Sequence, residues 1–206
     1  MKIALIGGTG SFGTALAVRL RAAGYAVVIG SRDAERAQAV AAEFGVEGAT
    51  NEDAARAADL VVLTTKAEGA VETARSLREA IGSTPVLSVA AELSFTKAGV
   101  FPCVEATSVA ARIQDVVDGP VIAGLHSLAA SNLGGEEAPE EDTLVCGDDA
   151  DAKAIVIELA GKITSGTAVD AGPLASARAL EGMTAVIVNV NKRYKAHAGL
   201  RVTGLH

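Results

Sequence analysis

The chain has 206 residues and a formal net charge of −7, and half of its residues are hydrophobic. That length fits one large domain, or a domain with a small appendage, that can bury a sizeable core. The acidic balance argues against nucleic acid or an anionic membrane as the main partner, because both call for a basic surface. No apolar run approaches the roughly 20 residues that span a bilayer.

Cysteine and histidine usage narrows the class of protein further. The two cysteines, Cys103 and Cys146, lack the spacing of a disulfide framework, and no histidine falls in a metal-site motif. We therefore expect a cytoplasmic protein with free thiols and no bound metal.

The first segment of the chain predicts a dinucleotide site. An apolar run, Ile3–Ile6, leads into the sequence GGTGSFG at positions 7–13, and a helical segment follows. In this G-x-G-x-x-G pattern, Gly8 allows the tight turn, Gly10 lets phosphates approach bare backbone, and Gly13 lets the helix pack close to the strand. The helix N-terminus adds unpaired N–H groups and a positive dipole, so a pyrophosphate fits there.

The end of the second strand favours NADP over NAD. An NAD site usually has a carboxylate at this position to bind the ribose 2′-hydroxyl, whereas this chain has Ser31 and Arg32, with Arg36 one helical turn on. A hydroxyl and a guanidinium can bind a 2′-phosphate. Asp33 is better placed to cap the next helix, Ala34–Phe44. The alternative is that both arginines are ordinary surface charges.

Apolar runs and helical segments then alternate, which predicts an α/β fold with a Rossmann-type, doubly wound parallel sheet. Three more buried strands are predicted at Leu60–Thr65, Val86–Val89 and Val121–Leu125, with helices at Glu68–Ala80 and Val104–Val117. The ligand crevice should lie at the carboxyl ends of these strands. Thr64 and Thr65 would line its ribose and nicotinamide face.

The last third of the chain reads as a small α+β C-terminal domain. A polar loop over Ser131–Asp142 precedes a strand at Thr143–Gly147, a helix at Ala150–Ile163 capped by Asp149, and an extended piece at Thr167–Asp170. The helix from Ala175 to Tyr194 carries an apolar stripe that suits either core or a subunit interface. We predict a Rossmann domain over residues 1–140 and a C-terminal domain over 141–206, with substrate-side and homodimer contacts.

Two residues at strand ends are candidates for catalysis. Lys66 could contact a phosphate or polarise a carbonyl, and His126 could bind substrate or act as an acid. The competing interpretations are a solvated lysine at the start of a loop and a histidine that is hydrogen-bonded within the core.

The chain resembles the NADPH-dependent reductases of coenzyme F420, a deazaflavin. The similarity is carried by GGTG at positions 7–10, GSR at 30–32, VETARSL ending at Leu77, VCGDD at 145–149 and DAGPL at 170–174. It extends from Met1 to about Asn191. The VCGDD and DAGPL segments are much more discriminating than the glycine turn.

This resemblance implies a homodimer and direct hydride transfer between nicotinamide C4 and the deazaflavin ring. It implies NADP contacts at Thr9, Gly10, Ser11 and Phe12 and at Ser31, Arg32 and Arg36. It implies that Thr65, Ala91 and Ala130 lie near the reaction crevice and Leu200 on the deazaflavin side. Lys66, Val89–Glu92 and Ser127–Ala129 replace stretches where the family tends to have proline.

Two other functions are compatible with the same residues. The first is an NADPH-dependent reductase of another acceptor, either a flavin or a carbonyl or imine. A carbonyl or imine would need a proton donor, and Lys66 or His126 would then be catalytic. The second is a sensor that binds NADP without turnover.

Overall fold

The computed structural model describes residues 1–103, 105 and 107–205. The first half of this part of the chain alternates strands and helices: β1 Lys2–Ile6, α1 Ser11–Ala22, β2 Ala26–Ser31, α2 Ala34–Phe44, β3 Glu47–Thr50, α3 Asn51–Arg56, β4 Leu60–Leu63, α4 Ala67–Ser76, α5 Arg78–Ile81 and β5 Val86–Ser88. The second half contains β6 Leu93–Thr96, β7 Gly99–Pro102, α6 Val109–Gln114, β8 Val121–Gly124, α7 Ala130–Leu133, β9 Thr143–Gly147, α8 Ala150–Ile163, β10 Ala168–Asp170 and α9 Ala177–Tyr194.

An eight-stranded sheet organises the molecule, with the strand order β10-β9-β8-β5-β4-β1-β2-β3. Six neighbouring strands of this sheet are all parallel, namely β3, β2, β1, β4, β5 and β8. They follow the 3-2-1-4-5-6 order of a Rossmann sheet, which confirms the predicted fold class. The order reverses between β1 and β4. A ligand crevice is therefore expected beyond the carboxyl ends of these two strands.

The buried side chains form one apolar layer on each face of the sheet. One face packs Val61, Leu63 and Val86 against the helices α3, α4 and α6. The other face packs Leu5 and Val62 against α1 and α8. Strands buried on both faces explain the continuous apolar runs in the sequence.

The C-terminal segment differs from the prediction of a separate small domain. Its strand β9 pairs antiparallel with β8, and β10 pairs parallel with β9, so both extend the one sheet. The helix α8 covers the same face as α1. The predicted boundary between residues 140 and 141 therefore falls within a continuous sheet.

Several predicted elements have different ends in the structure. The segment predicted as one helix from Glu68 to Ala80 is divided into α4 and α5 at Leu77. The helix predicted from Val104 begins only at Val109, where the Ser108 hydroxyl caps it, and residues 104 and 106 lie outside the described part of the chain. The short helix α7 begins at Ala130 and overlaps the segment predicted as a loop.

The structure also contains a two-stranded antiparallel hairpin, β6–β7, that the sequence analysis does not predict. It lies between β5 and α6 and packs on α9, where the Asn189 side-chain amide bonds both the N–H and the carbonyl of Val100 at 2.8 and 2.7 Å. In the part of the chain that the structure describes, no helix is both long and apolar enough to cross a membrane.

Candidate active site

The glycine turn has the geometry that its three glycines predict. A Cβ at Gly8 would lie 2.6 Å from the Leu5 carbonyl oxygen, and one at Gly13 would lie 2.5 Å from the carbonyl oxygen of Gly8. A Cβ at Gly10, in contrast, would meet no atom within 4 Å. Gly8 and Gly13 are thus required for the packing of strand, turn and helix, whereas Gly10 leaves open space beside the N-terminus of α1.

The end of β2 presents one buried hydroxyl and two free guanidinium groups. Ser31 is buried, and its Oγ accepts a hydrogen bond from the Asp33 N–H at 3.2 Å. The Asp33 carboxylate caps α2 by accepting from the Arg36 N–H at 3.1 Å, as predicted. Arg32 and Arg36 are exposed, and neither side chain makes an ion pair within the described residues.

These groups meet in one cavity of about 460 Å³ at the carboxyl ends of β1, β2 and β4. Eight of the residues singled out in the sequence line it: Thr9, Gly10, Ser31, Arg32, Arg36, Thr64, Thr65 and Lys66. The open backbone at Gly10 fits the pyrophosphate of a dinucleotide. The guanidinium groups of Arg32 and Arg36 fit a 2′-phosphate. Ser11 and Phe12 lie in the first turn of α1, just outside the lining.

Asn51 is a residue of the site that the sequence did not reveal. It begins α3, yet its side chain is turned to the glycine turn, where Oδ1 accepts from the Gly7 N–H at 3.1 Å. The Thr64 hydroxyl donates to the Ile6 carbonyl at 2.8 Å and ties the same turn to β4. The Thr65 hydroxyl is buried and has no hydrogen-bond partner in the described residues. Thr65 lines the cavity, whose ribose and nicotinamide face it is predicted to form with Thr64.

Lys66 lies between this cavity and a second one of about 340 Å³. The second cavity is also lined by Ala91 and by the hairpin residue Phe95, whose side chain is 66% exposed. Lys66 occupies the position before α4 and is itself exposed. The structure therefore places Lys66 and Ala91 on a shared wall beside the dinucleotide cavity.

His126 is a buried residue, as the competing interpretation expects. Its Nε2 lies 3.2 Å from the Ala90 carbonyl oxygen, which can only accept, so this nitrogen carries the proton. Burial lowers the pKa of His126 to about 4, and the hydrogen bond to Ala90 opposes that effect. The ring is therefore neutral at pH 7, and its acceptor Nδ1 has no hydrogen-bond partner among the described residues.

The backbone before His126 is unusual, because Leu125 is non-glycine and has a φ of +64°. Such a conformation is uncommon for a branched side chain and marks a position that the surrounding structure holds in place. The Thr184 hydroxyl on α9 supports it by donating to the His126 carbonyl at 3.0 Å.

Ala130 and Leu200 belong to a different region from the 460 Å³ cavity. Ala130 is the first residue of α7, and Leu200 lines a cavity of about 270 Å³ with Asn132 and Glu141. Glu141 is buried, which raises the pKa of its carboxyl group, and the Asn132 amide opposes this by donating to Oε1. Its Oε2 has no hydrogen-bond partner in the part of the chain that the structure describes. The structure thus places Leu200 outside the 460 Å³ cavity, and its predicted position on the deazaflavin side stays a prediction.

Glu92 does not face the crevice as a free carboxylate. Its Oε2 pairs with the Arg112 guanidinium at 2.5 Å, with both side chains about two-thirds or more buried. The departure from the family's proline pattern at Glu92 is therefore compensated by an ion pair with α6, whereas Lys66 has no such partner in the described part of the chain.

The sheet order and the cavity at its switch point are those of a dinucleotide-binding enzyme of the Rossmann class. Comparison with known proteins gives the family. Residues 2–92 match the family described as "NADP oxidoreductase coenzyme F420-dependent". The chain is 36% identical to the F420-dependent NADP reductase of Methanothermobacter thermautotrophicus, over 100% of this chain and 96% of the relative. It is 34% identical to the enzyme of the same name from Methanocaldococcus jannaschii, over 100% and 99%.

The chain therefore belongs to the F420-dependent NADP reductase family. A crystal structure of a candidate F420-dependent NADP reductase from an Arthrobacter species superimposes with a TM-score of 0.86, covering 99% of this chain and 100% of that one at 25% identity. An imine reductase from Streptomyces aurantiacus shares the fold, with a TM-score of 0.63 over 95% of this chain and 62% of its own, at 22% identity.

Proposed function

We propose that this protein transfers a hydride between NADP(H) and the deazaflavin coenzyme F420. The observation that carries the proposal is the cavity at the ends of β1 and β2, in a chain that matches F420-dependent NADP reductases over its full length. This cavity combines an open glycine turn with two arginines that form no ion pair with any residue the structure describes. NADP(H) and F420 are both substrates in this account.

The dinucleotide contacts follow from the positions of the donors. The backbone from Gly8 to Gly13 would bind the pyrophosphate, with Thr9, Ser11 and Phe12 contributing N–H groups near the N-terminus of α1. Ser31, Arg32 and Arg36 would bind the 2′-phosphate. This assignment is supported by their position, because all three residues line the cavity. The two guanidinium groups also supply positive charge to bind a phosphate.

The proposed hydride transfer needs no acid or base from the protein's side chains. Nicotinamide and deazaflavin rings carry the hydride chemistry, and the protein must hold them in contact and exclude water. Thr64 and Thr65 border the nicotinamide side of the cavity. Ala91, Ala130 and Leu200 would border the acceptor ring.

The state of His126 fits this mechanism better than reduction of a carbonyl or imine. A general acid that works near pH 7 needs a pKa close to that value, whereas burial holds the pKa of His126 at about 4. A neutral ring that donates to Ala90 can position the chain after β8, or accept a hydrogen bond at Nδ1, without supplying a proton.

The direct test is to mix the protein with NADPH and oxidised F420 and follow the loss of the deazaflavin's visible absorbance. The proposal expects catalytic loss of absorbance, matched by NADPH oxidation. NADPH oxidation with a flavin, carbonyl or imine but not with F420 would favour a reductase of another acceptor. NADPH binding without turnover of any acceptor would favour a sensor.

We further propose that the protein acts as a homodimer. Exposed apolar side chains gather on the hairpin and α9: Phe95, Phe101, Val186, Val190 and Tyr194, with exposed fractions between 37% and 70%. The hairpin and the helix are in contact, since Lys192 lies over the Phe95 ring at 5.1 Å. An apolar surface of this kind suits a second copy of the chain, and light scattering coupled to size exclusion tests it.

We also propose that the protein is located in the cytoplasm. Both cysteines are free thiols in the structure, and burial raises the pKa of Cys146 to about 11, so it is an inert thiol. Fractionation of the source organism with a cytoplasmic marker would test this location.

A further inference from the structure

A buried arginine on α1 contacts the end of α7 and the segment that follows it. Arg19 lies two turns after the start of α1 and is 9% exposed. Its guanidinium collects four backbone carbonyls from one segment. Nε donates to Leu133 at 2.7 Å, Nη2 to Gly135 at 2.5 Å and also to Glu137, and Nη1 reaches Glu136 at 3.5 Å.

No carboxylate balances this charge within the described residues. A buried cation is stable only when its donors are well satisfied, so the carbonyls of the 133–137 segment must do this. Leu133 ends α7, and a cation at a helix C-terminus also complements the helix dipole. Because the planar guanidinium fork matches several carbonyls at once, lysine cannot reproduce the full set.

The segment that Arg19 holds borders the C-terminal stretch that contains Leu200, which is proposed above to border the acceptor ring. The Asn132 amide on α7 donates to Glu141 and to the His197 carbonyl, the latter at 3.5 Å. The Asp142 N–H then donates to the Leu200 carbonyl at 2.8 Å, and the Asp142 carboxylate accepts from the Val202 N–H at 2.6 Å. Asp142 lies beyond the stretch that Arg19 anchors and is also held by Ser127 and Thr167. The link from Arg19 therefore runs through Asn132, which precedes the anchored Leu133 and lines one cavity with His197 and Leu200.

We propose that Arg19 is a positioning residue through which the helix α1 fixes the acceptor wall, by which we mean Asn132, His197 and Leu200 where they line the 270 Å³ cavity (the acceptor cavity). Arg19 lines neither the dinucleotide cavity nor the acceptor cavity and acts only through the 133–137 carbonyls. The N-terminal end of α1, where the pyrophosphate would bind, is held by other contacts, including the Thr14 N–H to the Gly10 carbonyl at 2.9 Å. Loss of Arg19 should therefore loosen the acceptor side and spare the dinucleotide side.

The test compares Arg19→Met with Arg21→Met, an exposed arginine on the same helix that makes no side-chain hydrogen bond in the described residues. We expect Arg19→Met to lower kcat/KM for F420 by about tenfold or more, with the NADPH Kd within about twofold of the parent value. Amide exchange should quicken by about tenfold over residues 130–141 and 198–202, but not over β1 and the first turn of α1. Arg21→Met should change none of these.

Arg19→Lys should recover part of the loss, because it keeps the charge and one donor direction, and it decides the matter if Arg19→Met does not fold. A parallel rise of the NADPH Kd, or unchanged exchange over 130–141 in a folded variant, would overturn the assignment. The inference about catalysis rests on the proposed function. If the parent protein does not reduce F420, that function fails, whereas amide exchange and the NADPH Kd still decide whether Arg19 holds the wall.

Discussion

Gly10 and Gly13 belong to the same motif, but the structure predicts opposite consequences for replacing them. A Cβ at Gly13 would lie 2.5–2.7 Å from backbone atoms of Gly8, which cannot move aside as the end of a side chain can. We assign Gly13→Ala an overpacking cost of about 3 kcal/mol, offset by about 1 kcal/mol of helix propensity. The net loss of about 2 kcal/mol should lower Tm by roughly 4–8 °C for a chain of this size.

Gly10→Val should leave the protein folded and remove dinucleotide binding. Gly10 is the N-cap of α1, with φ −85° and ψ 168°, which valine can adopt, and its Cβ would meet no protein atom within 4 Å. The lost cap preference costs up to about 1 kcal/mol. The new side chain would instead occupy the space assigned to the pyrophosphate, so binding of both NADPH and NADH should fall below detection.

Thermal unfolding and NADPH fluorescence titration, made on the same samples, separate the two effects. Gly161→Ala is the matched control, because this helical glycine also has no atom within 4 Å of its Cβ position and lies on α8. It should gain up to about 1 kcal/mol and bind NADPH normally. Unaltered NADPH affinity in folded Gly10→Val would refute the placement of the pyrophosphate at this turn.

Three further predictions concern Arg32, Lys66 and His126. Arg32→Ala should weaken NADPH binding by roughly 10–30-fold, through loss of one or two charge-assisted hydrogen bonds at an exposed position, and NADH binding by less than about twofold. Equal effects on both nucleotides would contradict the 2′-phosphate contact, with Arg21→Ala as control. Lys66→Ala and His126→Ala should each keep substantial F420 turnover; a loss above about a thousandfold would indicate acid–base catalysis. The depressed pKa of His126 (about 4, against 6.5 when unfolded) should reduce stability as pH falls from 6.5 to 4, because the unfolded chain binds the proton first; this contribution, about 3 kcal/mol, should be absent in urea titrations of His126→Gln.

The parts of the fold that the sequence predicts well are those with local signals. The helix α8 has the predicted ends, because Asp149 caps it by accepting from the Ala152 N–H at 2.8 Å and an apolar face repeats along it. The glycine turn is also predicted correctly from its local sequence. The hairpin β6–β7 was not predicted, because its strands are only four residues long and most of their side chains are exposed. Leu93–Thr96 does alternate apolar and polar residues, but Gly99–Pro102 does not and ends in proline.

The unpredicted parts of the site depend on contacts between distant positions. Asn51 reads as a helix start, and only the folded sheet brings its amide to Gly7, 44 positions earlier. Arg19 reads as a surface charge on α1, and its carbonyl partners lie more than 110 positions later. The C-terminal strands were recognised locally, but their pairing with β8, and so the continuity of the sheet, is a tertiary property.

Direct hydride transfer is the central claim, and an isotope measurement tests it most directly. NADPH stereospecifically deuterated at nicotinamide C4, in each of the two configurations, is oxidised by the protein in the presence of F420, and the reduced deazaflavin is analysed by mass spectrometry and NMR. The account predicts deuterium at the ring's C5 from one configuration only, since two rings held in fixed orientation transfer one face's hydrogen. Protium at C5 from both configurations, or no reduction of F420, would contradict it.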